Sequence, residues 1–261
     1  MAEWADRDIL RTALEQSAVD AGCLPEDFLK PEPVVVPSAA SPDARKYLEL
    51  PFSCHLISYG NNVVASVGED CRDLVSGYLA RFAPEYCFET PNLHVLNDAL
   101  ETLDLRVCSM AEYFLPALSA LRPLECPYPM RIMGPEDFGP LYLPQWSNAL
   151  CEKRKELDVL GVGAFDRERL IGLAGCSADC HTMWQIGIDV LPDYRRQGVT
   201  AALVSRLALE TLARGKVPFY CAAWSNVRSV RSAVKSGFRP AWVELTAKSR
   251  EYVEKLNRGE G

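Results

Sequence analysis

The chain has 261 residues, 48% hydrophobic and 24% charged, with a formal net charge of −7. That balance excludes a disordered chain and argues against nucleic acid as the main partner, because phosphate binding needs a basic face. No stretch approaches membrane-spanning length, and the start Met1-Ala2-Glu3-Trp4-Ala5-Asp6 lacks the basic-then-apolar layout of a signal peptide, so a cytoplasmic protein with no membrane partner is expected.

In chain order, residues 4–18 carry an amphipathic pattern, followed by a short helical prospect at 25–29 and a proline-rich extended stretch at 31–37. Residues 56–67 predict a hairpin, because apolar strands flank Gly60-Asn61-Asn62. Cys71, Leu74, Val75, Tyr78, Leu79 and Phe82 then repeat on one helical face, and a second strand-and-helix set runs to about residue 121. Pro123, Pro127 and Pro129 break the chain, which places a domain boundary at 122–129. The expected domains are therefore a smaller mixed α/β N-terminal lobe, residues 1–128, and a second domain, residues 129–261.

The second domain is predicted to open with a strand near 130–133 and helices across 135–154. Strands follow near 158–165, 169–178 and 184–190. After the last of these comes the run Val190-Leu191-Pro192-Asp193-Tyr194-Arg195-Arg196-Gln197-Gly198-Val199-Thr200-Ala201. Leu203, Val204, Leu207, Ala208 and Leu212 recur at helical spacing, and Gly215 stands where a C-terminal cap belongs. The run thus delivers a strand into a helix through a turn with two arginines and a glycine. Gly198 has no side chain to hold an anion away from the amides of the first helical turn, so this helix start suits a pyrophosphate. A P-loop is disfavoured, since no Gly-Lys-Ser/Thr ending is present.

These residues resemble the GNAT superfamily of acyl-CoA-dependent N-acyltransferases, whose pyrophosphate loop reads Arg/Gln-x-x-Gly-x-Gly/Ala. Arg195-Arg196-Gln197-Gly198-Val199-Thr200 fits at the first two fixed positions and departs at Thr200. The family's next signature, a strand, an Asn and a helix closing on Gly-Phe, is met by 219–226 ending in Asn226, then Ser229, then Gly237-Phe238. The resemblance covers about residues 129–247. It implies an α/β fold of the α+β kind: a mixed, mostly antiparallel sheet with flanking helices and two central strands splayed at the cofactor. It also implies transfer of an acetyl group from acetyl-CoA to a primary amine in a ternary complex, with coenzyme A as the leaving product and no metal. By the same comparison, backbone N–H groups of Val190 and Leu191 face the thioester carbonyl. Arg195, Arg196, Gln197, Gly198, Val199, Thr200 and Ala201 surround the pyrophosphate, and Asn226 and Ser229 lie beside the pantetheine or the phosphates.

Acyl transfer also needs a proton for the departing thiolate and a neutral nucleophile. Many relatives place a tyrosine four residues before the Gly of Gly-Phe, where this chain has Ala233. Ser229, Ser232 and Ser236 share that helix at three- and four-residue steps, with Ser232 the candidate acid, and an unaided thiolate departure is the alternative. For the base, Asp189 shares a strand face with Gln185 and Gly187, and a carboxylate in an apolar strand requires a partner. Asp179 and His181 are the second choice. Trp184 and Trp224 are candidate walls of an acceptor pocket.

His55 and His94 read as structural histidines, and no catalytic motif stands in the first lobe, which either shapes the pocket or supports a homodimer. The ten cysteines lie at irregular intervals and read as reduced thiols; Cys176, Cys180 and His181 lack a second ligand pair for zinc. From Arg195 onward 13 Lys/Arg face 5 Asp/Glu, a net of +8, which leaves −15 for residues 1–194. An anionic cofactor on the C-terminal part and a small cationic amine facing the rest fit that split. The alternative is an acyl-CoA-binding regulatory protein with little turnover, suggested by Ala233 and Thr200.

Overall fold

A computed structural model describes residues 4–260. Its elements run α1 (Asp6–Ala21), β1 (Val34–Pro37), β2 (Cys54–Ser58), β3 (Val64–Val67), α2 (Arg72–Arg81), α3 (Thr90–Glu101) and β4 (Leu105–Pro116). They continue through β5 (Met130–Met133), α4 (Pro135–Phe138), β6 (Asp158–Asp166), β7 (Arg169–Ser177) and β8 (Met183–Val190). The last are α5 (Val199–Ala213), β9 (Val217–Ala222), α6 (Val227–Lys235), β10 (Phe238–Ser249) and α7 (Arg250–Asn257). No helix among the described residues is long and apolar enough to cross a membrane.

The chain divides into two compact units that are interleaved in sequence. One comprises residues 1–13 and 113–240, the other 14–112 and 241–261. The proline-rich stretch at 122–129 lies inside the first unit.

In the 14–112/241–261 unit, β2 and β3 form the expected antiparallel hairpin, with Leu56 opposite Ala65. β1 joins β3 in parallel, and β10 pairs antiparallel with β2, Leu245 against Leu56. The apolar faces of α2 and α3 close over Cys54, Leu56, Ala65, Val67, Leu245 and Ala247. Each fully buried Leu or Val there contributes about 1.5–3 kcal/mol. A charged cluster is also buried in this unit. Arg45, 2% exposed, pairs with Asp20 and donates from Nη2 to Glu244 Oε1 at 2.8 Å. His55 Nε2 stands 3.2 Å from Glu244 Oε2, and Trp242 Nε1 donates to Glu244 Oε1 at 2.7 Å. His55 thus has a structural partner, whereas His94 is exposed at the surface of α3.

In the 1–13/113–240 unit, the strand order is β9-β8-β7-β6-β5, and β4, whose last residues belong to this unit, is the other neighbour of β9. β5 to β8 are consecutive antiparallel neighbours, whereas β8 and β9 are parallel, joined through α5. The sheet is therefore mixed and mostly antiparallel, with helices on its faces. One expectation is corrected. Residues 135–157 do not form long helices but a four-residue helix and short 3-10 turns at Gly139–Leu141, Pro144–Trp146 and Glu152–Leu157. Pro135, Pro140 and Pro144 each start a turn, and no proline N–H exists to extend one. Phe138, Trp146, Ala149 and Leu150 anchor this irregular segment on Met133, Phe165 and Leu173.

Candidate active site

The site is built around the end of β8. β8 and β9 are in register from Met183 opposite Val217 to Ile186 opposite Tyr220, and the pairing ends there. Beyond that point β8 continues to Val190 bonded only on its β7 side, where Gly172 faces Val190. The Leu191 N–H is used: it donates to the Ile171 carbonyl at 2.9 Å. Successive strand residues direct their backbone groups to opposite sides, so the Val190 N–H points the other way, into the gap that β9 has left. Of the two amides named from the sequence, Leu191 is committed to the sheet and Val190 faces away from β7. Pro192 then ends the strand in a short 3-10 turn, Pro192–Tyr194.

The loop that follows is held by side chains. Arg195 Nε donates to the Val190 carbonyl at 3.0 Å. Gln197 Nε2 donates to the Asp193 carbonyl, and its Oε1 accepts from Tyr128 Oη at 2.9 Å. Tyr194 Oη donates to Asp166 Oδ2 at 2.8 Å. Two consecutive left-handed turns bracket Gln197: Arg196 has φ +62° and Gly198 φ +86°. The arginine in this region costs about 1–2 kcal/mol, which glycine avoids. Gly198 is the N-cap of α5 and supplies no side-chain cap. The first intrahelical bond is Ala202 N–H to the Gly198 carbonyl, so the amides of Val199, Thr200 and Ala201 precede it and face outward. A side chain on Gly198 would meet nothing within 4 Å, so open space lies beside these donors. A helix start of this kind can take an anion, and Arg195 and Arg196 lie exposed alongside.

The opposite face of β7 and β8 is covered by residues 147–150, and two glycines make this approach feasible. A Cβ on Gly187 would overlap the Asn148 carbonyl oxygen and lie 2.8 Å from its carbon; one on Gly175 would overlap the Ala149 carbonyl oxygen. Gly175 and Gly187 are direct cross-strand neighbours. Asp189, on the same face, holds the segment down. Its Oδ2 accepts from the Asn148 N–H at 2.8 Å and the Ala149 N–H at 3.0 Å, and its Oδ1 from Asn148 Nδ2 at 2.7 Å. The partner that a carboxylate in this strand requires is thus a pair of backbone amides. Three donors fill both oxygens, so this geometry describes a positioning group rather than an uncommitted base.

The remaining sequence candidates separate. His181 lies exposed in the turn before β8, at the far end of that strand from Val190, roughly 25 Å away at about 3.3 Å per residue. It is therefore not part of this site. Its neighbour Asp179 is fully buried and paired with Arg154. Asn226 caps α6, its Oδ1 accepting from the Ser229 N–H at 3.2 Å. Ser232 Oγ turns back on the Arg228 carbonyl at 3.0 Å, and Ser236 Oγ on the Ser232 carbonyl at 2.7 Å, so both spend their protons within the helix. Trp184 is half-buried and Trp224 is 51% exposed.

Ser229 does something the pattern did not foretell. Its Oγ lies 2.7 Å from Tyr220 Oη, which reaches the first turn of α6 from the last β9 position in register with β8. Tyr220 is 4% exposed, packed by Phe114 and Phe238. Burial pushes its phenol above the ordinary range; the Ser229 hydrogen bond draws it partly back, while Cys221 and Asp189 push it further up. Cys221 is on the other face, where its Sγ accepts from Gln185 Nε2 at 3.0 Å.

A family model of GNAT acetyltransferases matches residues 140–241. Over this segment the chain is similar to GNAT acetyltransferases. The matched segment begins in the irregular stretch over Gly175 and Gly187 and ends just beyond Gly237-Phe238. Comparison with curated proteins gives no match. Among solved structures, the chain resembles a GNAT-family protein from Novosphingobium aromaticivorans DSM 12444 at 20% identity and a TM-score of 0.41, over 55% of this chain and 66% of that one. An acetyltransferase of the GNAT family from Colwellia psychrerythraea aligns at 17% identity and a TM-score of 0.42, over 55% and 57%. A GCN5-related N-acetyltransferase from Sphaerobacter thermophilus aligns at 14% identity and a TM-score of 0.46, over 96% and 95%. The chain thus spans less than two thirds of the length of the first two.

Proposed function

We propose that the protein transfers an acetyl group from acetyl-CoA to a primary amine, most readily a small cationic one, by direct attack within a ternary complex. The observation that carries this reading is the parting of β8 and β9 after Ile186 and Tyr220, immediately upstream of an uncapped fifteen-residue helix. A gap lined by the Val190 amide suits a thioester, and the amides of Val199, Thr200 and Ala201 suit a diphosphate on the same molecule.

In this reading the helix start and the exposed arginines bind the substrate's phosphates. Thr200, where relatives carry a smaller residue, contributes through its backbone. Asn226 and Ser229 stand at the pantetheine side. The Val190 N–H donates to the carbonyl oxygen as it becomes anionic; a donor aimed at such an oxygen is worth about 2.7–4 kcal/mol. Asp189 fixes Asn148 and Ala149 over the sheet and so shapes the acceptor side without taking the proton itself. The net charge of −15 carried by residues 1–194 favours an acceptor that arrives as a cation and loses a proton before attack.

Calorimetry of the full chain with CoA and acetyl-CoA, followed by thiol release across a panel of primary amines, tests the proposal. Binding of both ligands and amine-dependent release are expected. No heat with either ligand overturns it, and tight binding with no release for any amine favours a binding protein instead.

A further inference from the structure

Acyl transfer leaves a thiolate that must be protonated or stabilised, and β8 offers no hydroxyl to do it. The nearby hydroxyls are mostly committed. Ser232 and Ser236 donate to backbone carbonyls, Tyr194 to a carboxylate and Tyr128 to an amide oxygen. Tyr220 and Ser229 differ, because two hydroxyls bring two protons to one bond. Whichever donates to the other, one proton of the pair remains to be given to a third group. The pair also stands in the right place. Tyr220 is the last β9 residue in register with β8, and Ser229 is in the first turn of the helix that follows β9, so their hydroxyls meet where the two strands separate.

We infer that the Tyr220 hydroxyl is the proton donor to the departing thiolate, with Ser229 as the relay that restores it. The inference rests on the acetyl-transfer reading. In the step, the amine lone pair forms the C–N bond to the acetyl carbon as the C–S bond breaks, and its electron pair leaves on sulfur. The Tyr220 proton moves to that sulfur, giving the CoA thiol. The nitrogen sheds its surplus proton to water, Ser229 takes a proton from water as it passes its own to the phenolate, and charge and protons balance. Burial and the nearby Asp189 and Cys221 raise the phenol's affinity for its proton, which keeps it a donor at neutral pH. The Ser229 hydrogen bond works the other way and limits that rise.

The test uses the thiol of bound CoA, which needs no knowledge of the acceptor. Full-length protein and its Tyr220→Phe and Ser229→Ala variants are titrated with CoA and with desulfo-CoA. The ionisation of the bound thiol is followed by thiolate absorbance, against the same thiol of free CoA. A phenol donating to sulfur lowers the bound thiol's pKa by about one unit in the wild type. Tyr220→Phe should restore it, Ser229→Ala should give an intermediate value, and desulfo-CoA should bind wild type and Tyr220→Phe alike. With an amine that is turned over, Tyr220→Phe should lower kcat about 100-fold, the low end for general acid catalysis, with KM for acetyl-CoA little changed. Equal thiol pKa values in wild type and Tyr220→Phe overturn the assignment while leaving acetyl transfer intact. Wild type that binds neither CoA nor desulfo-CoA overturns the acetyl-transfer reading and this assignment with it. Should Tyr220→Phe fail to fold, an unchanged thiol pKa in Ser229→Ala overturns the assignment by itself.

Discussion

Gly187→Ala isolates the feature that lets residues 147–150 close over the sheet. The added Cβ would overlap the Asn148 carbonyl oxygen and lie 2.8 Å from the carbonyl carbon, both backbone atoms that no rotamer change can move. To reach an ordinary carbon contact of about 3.5 Å, residues 147–150 must lift by roughly 1 Å or more. That lift breaks or stretches three hydrogen bonds to Asp189, of 2.7, 2.8 and 3.0 Å. Hydrogen bonds to a charged acceptor are worth about 1.5–3 kcal/mol each when lost from a closed site, and overpacking adds about 1–3 kcal/mol. Asp189 is half-buried, so water replaces part of each bond, and a total near 4 kcal/mol is expected. Urea denaturation followed by tryptophan fluorescence reads it, because Trp146, 3% exposed, anchors the same segment. Gly77→Ala in α2 is the control: nothing lies within 4 Å of its added carbon, and a change of about 0.5–1 kcal/mol in the stabilising direction is expected. Gly187→Ala within 1 kcal/mol of wild type would refute the reasoning.

Asp189→Asn keeps the size but loses the charge and one acceptor oxygen. We expect kcat/KM to fall about tenfold with the pH–rate limbs unmoved, whereas removal of a general base would erase the acidic limb, where rate rises as the base loses its proton. Gly198→Ala forces a side chain to φ +86° and should cost about 1–2 kcal/mol of stability. It should also weaken CoA binding about tenfold by calorimetry; unchanged affinity would disconnect the turn from the phosphates. Glu244 yields a pH dependence. Burial pushes its carboxyl up, but Arg45 and His55 more than offset this and hold it well below the ordinary range. Its ionised form therefore stabilises the fold above the unfolded value of about 4.3, and that contribution is lost as pH falls further towards the folded value. Glu244→Gln should destabilise by about 3–5 kcal/mol at pH 7, and the gap to wild type should narrow at pH 3; a constant gap in urea titrations at the two pH values would count against it.

The sequence by itself determined what neighbours within a turn or a strand decide. The 3.6-residue spacing marked α5, Pro192 marked the end of β8, and Gly198 marked an uncapped helix start, because those features depend on backbone sterics within a few residues. Asn226 as a cap was legible for the same reason. A glycine inside an apolar strand also signals close backbone approach, so Gly175 and Gly187 carried a hint of the segment above them. Only the tertiary structure decided which partners those positions meet. Asp189 is filled by amides 40 and 41 residues away, Tyr220 meets Ser229 across a strand-to-helix connection, and His181 is carried to the far end of β8. A carboxylate reads the same in sequence whether backbone donors or a substrate fill it. Packing brings distant donors to it, and no local pattern encodes that distance.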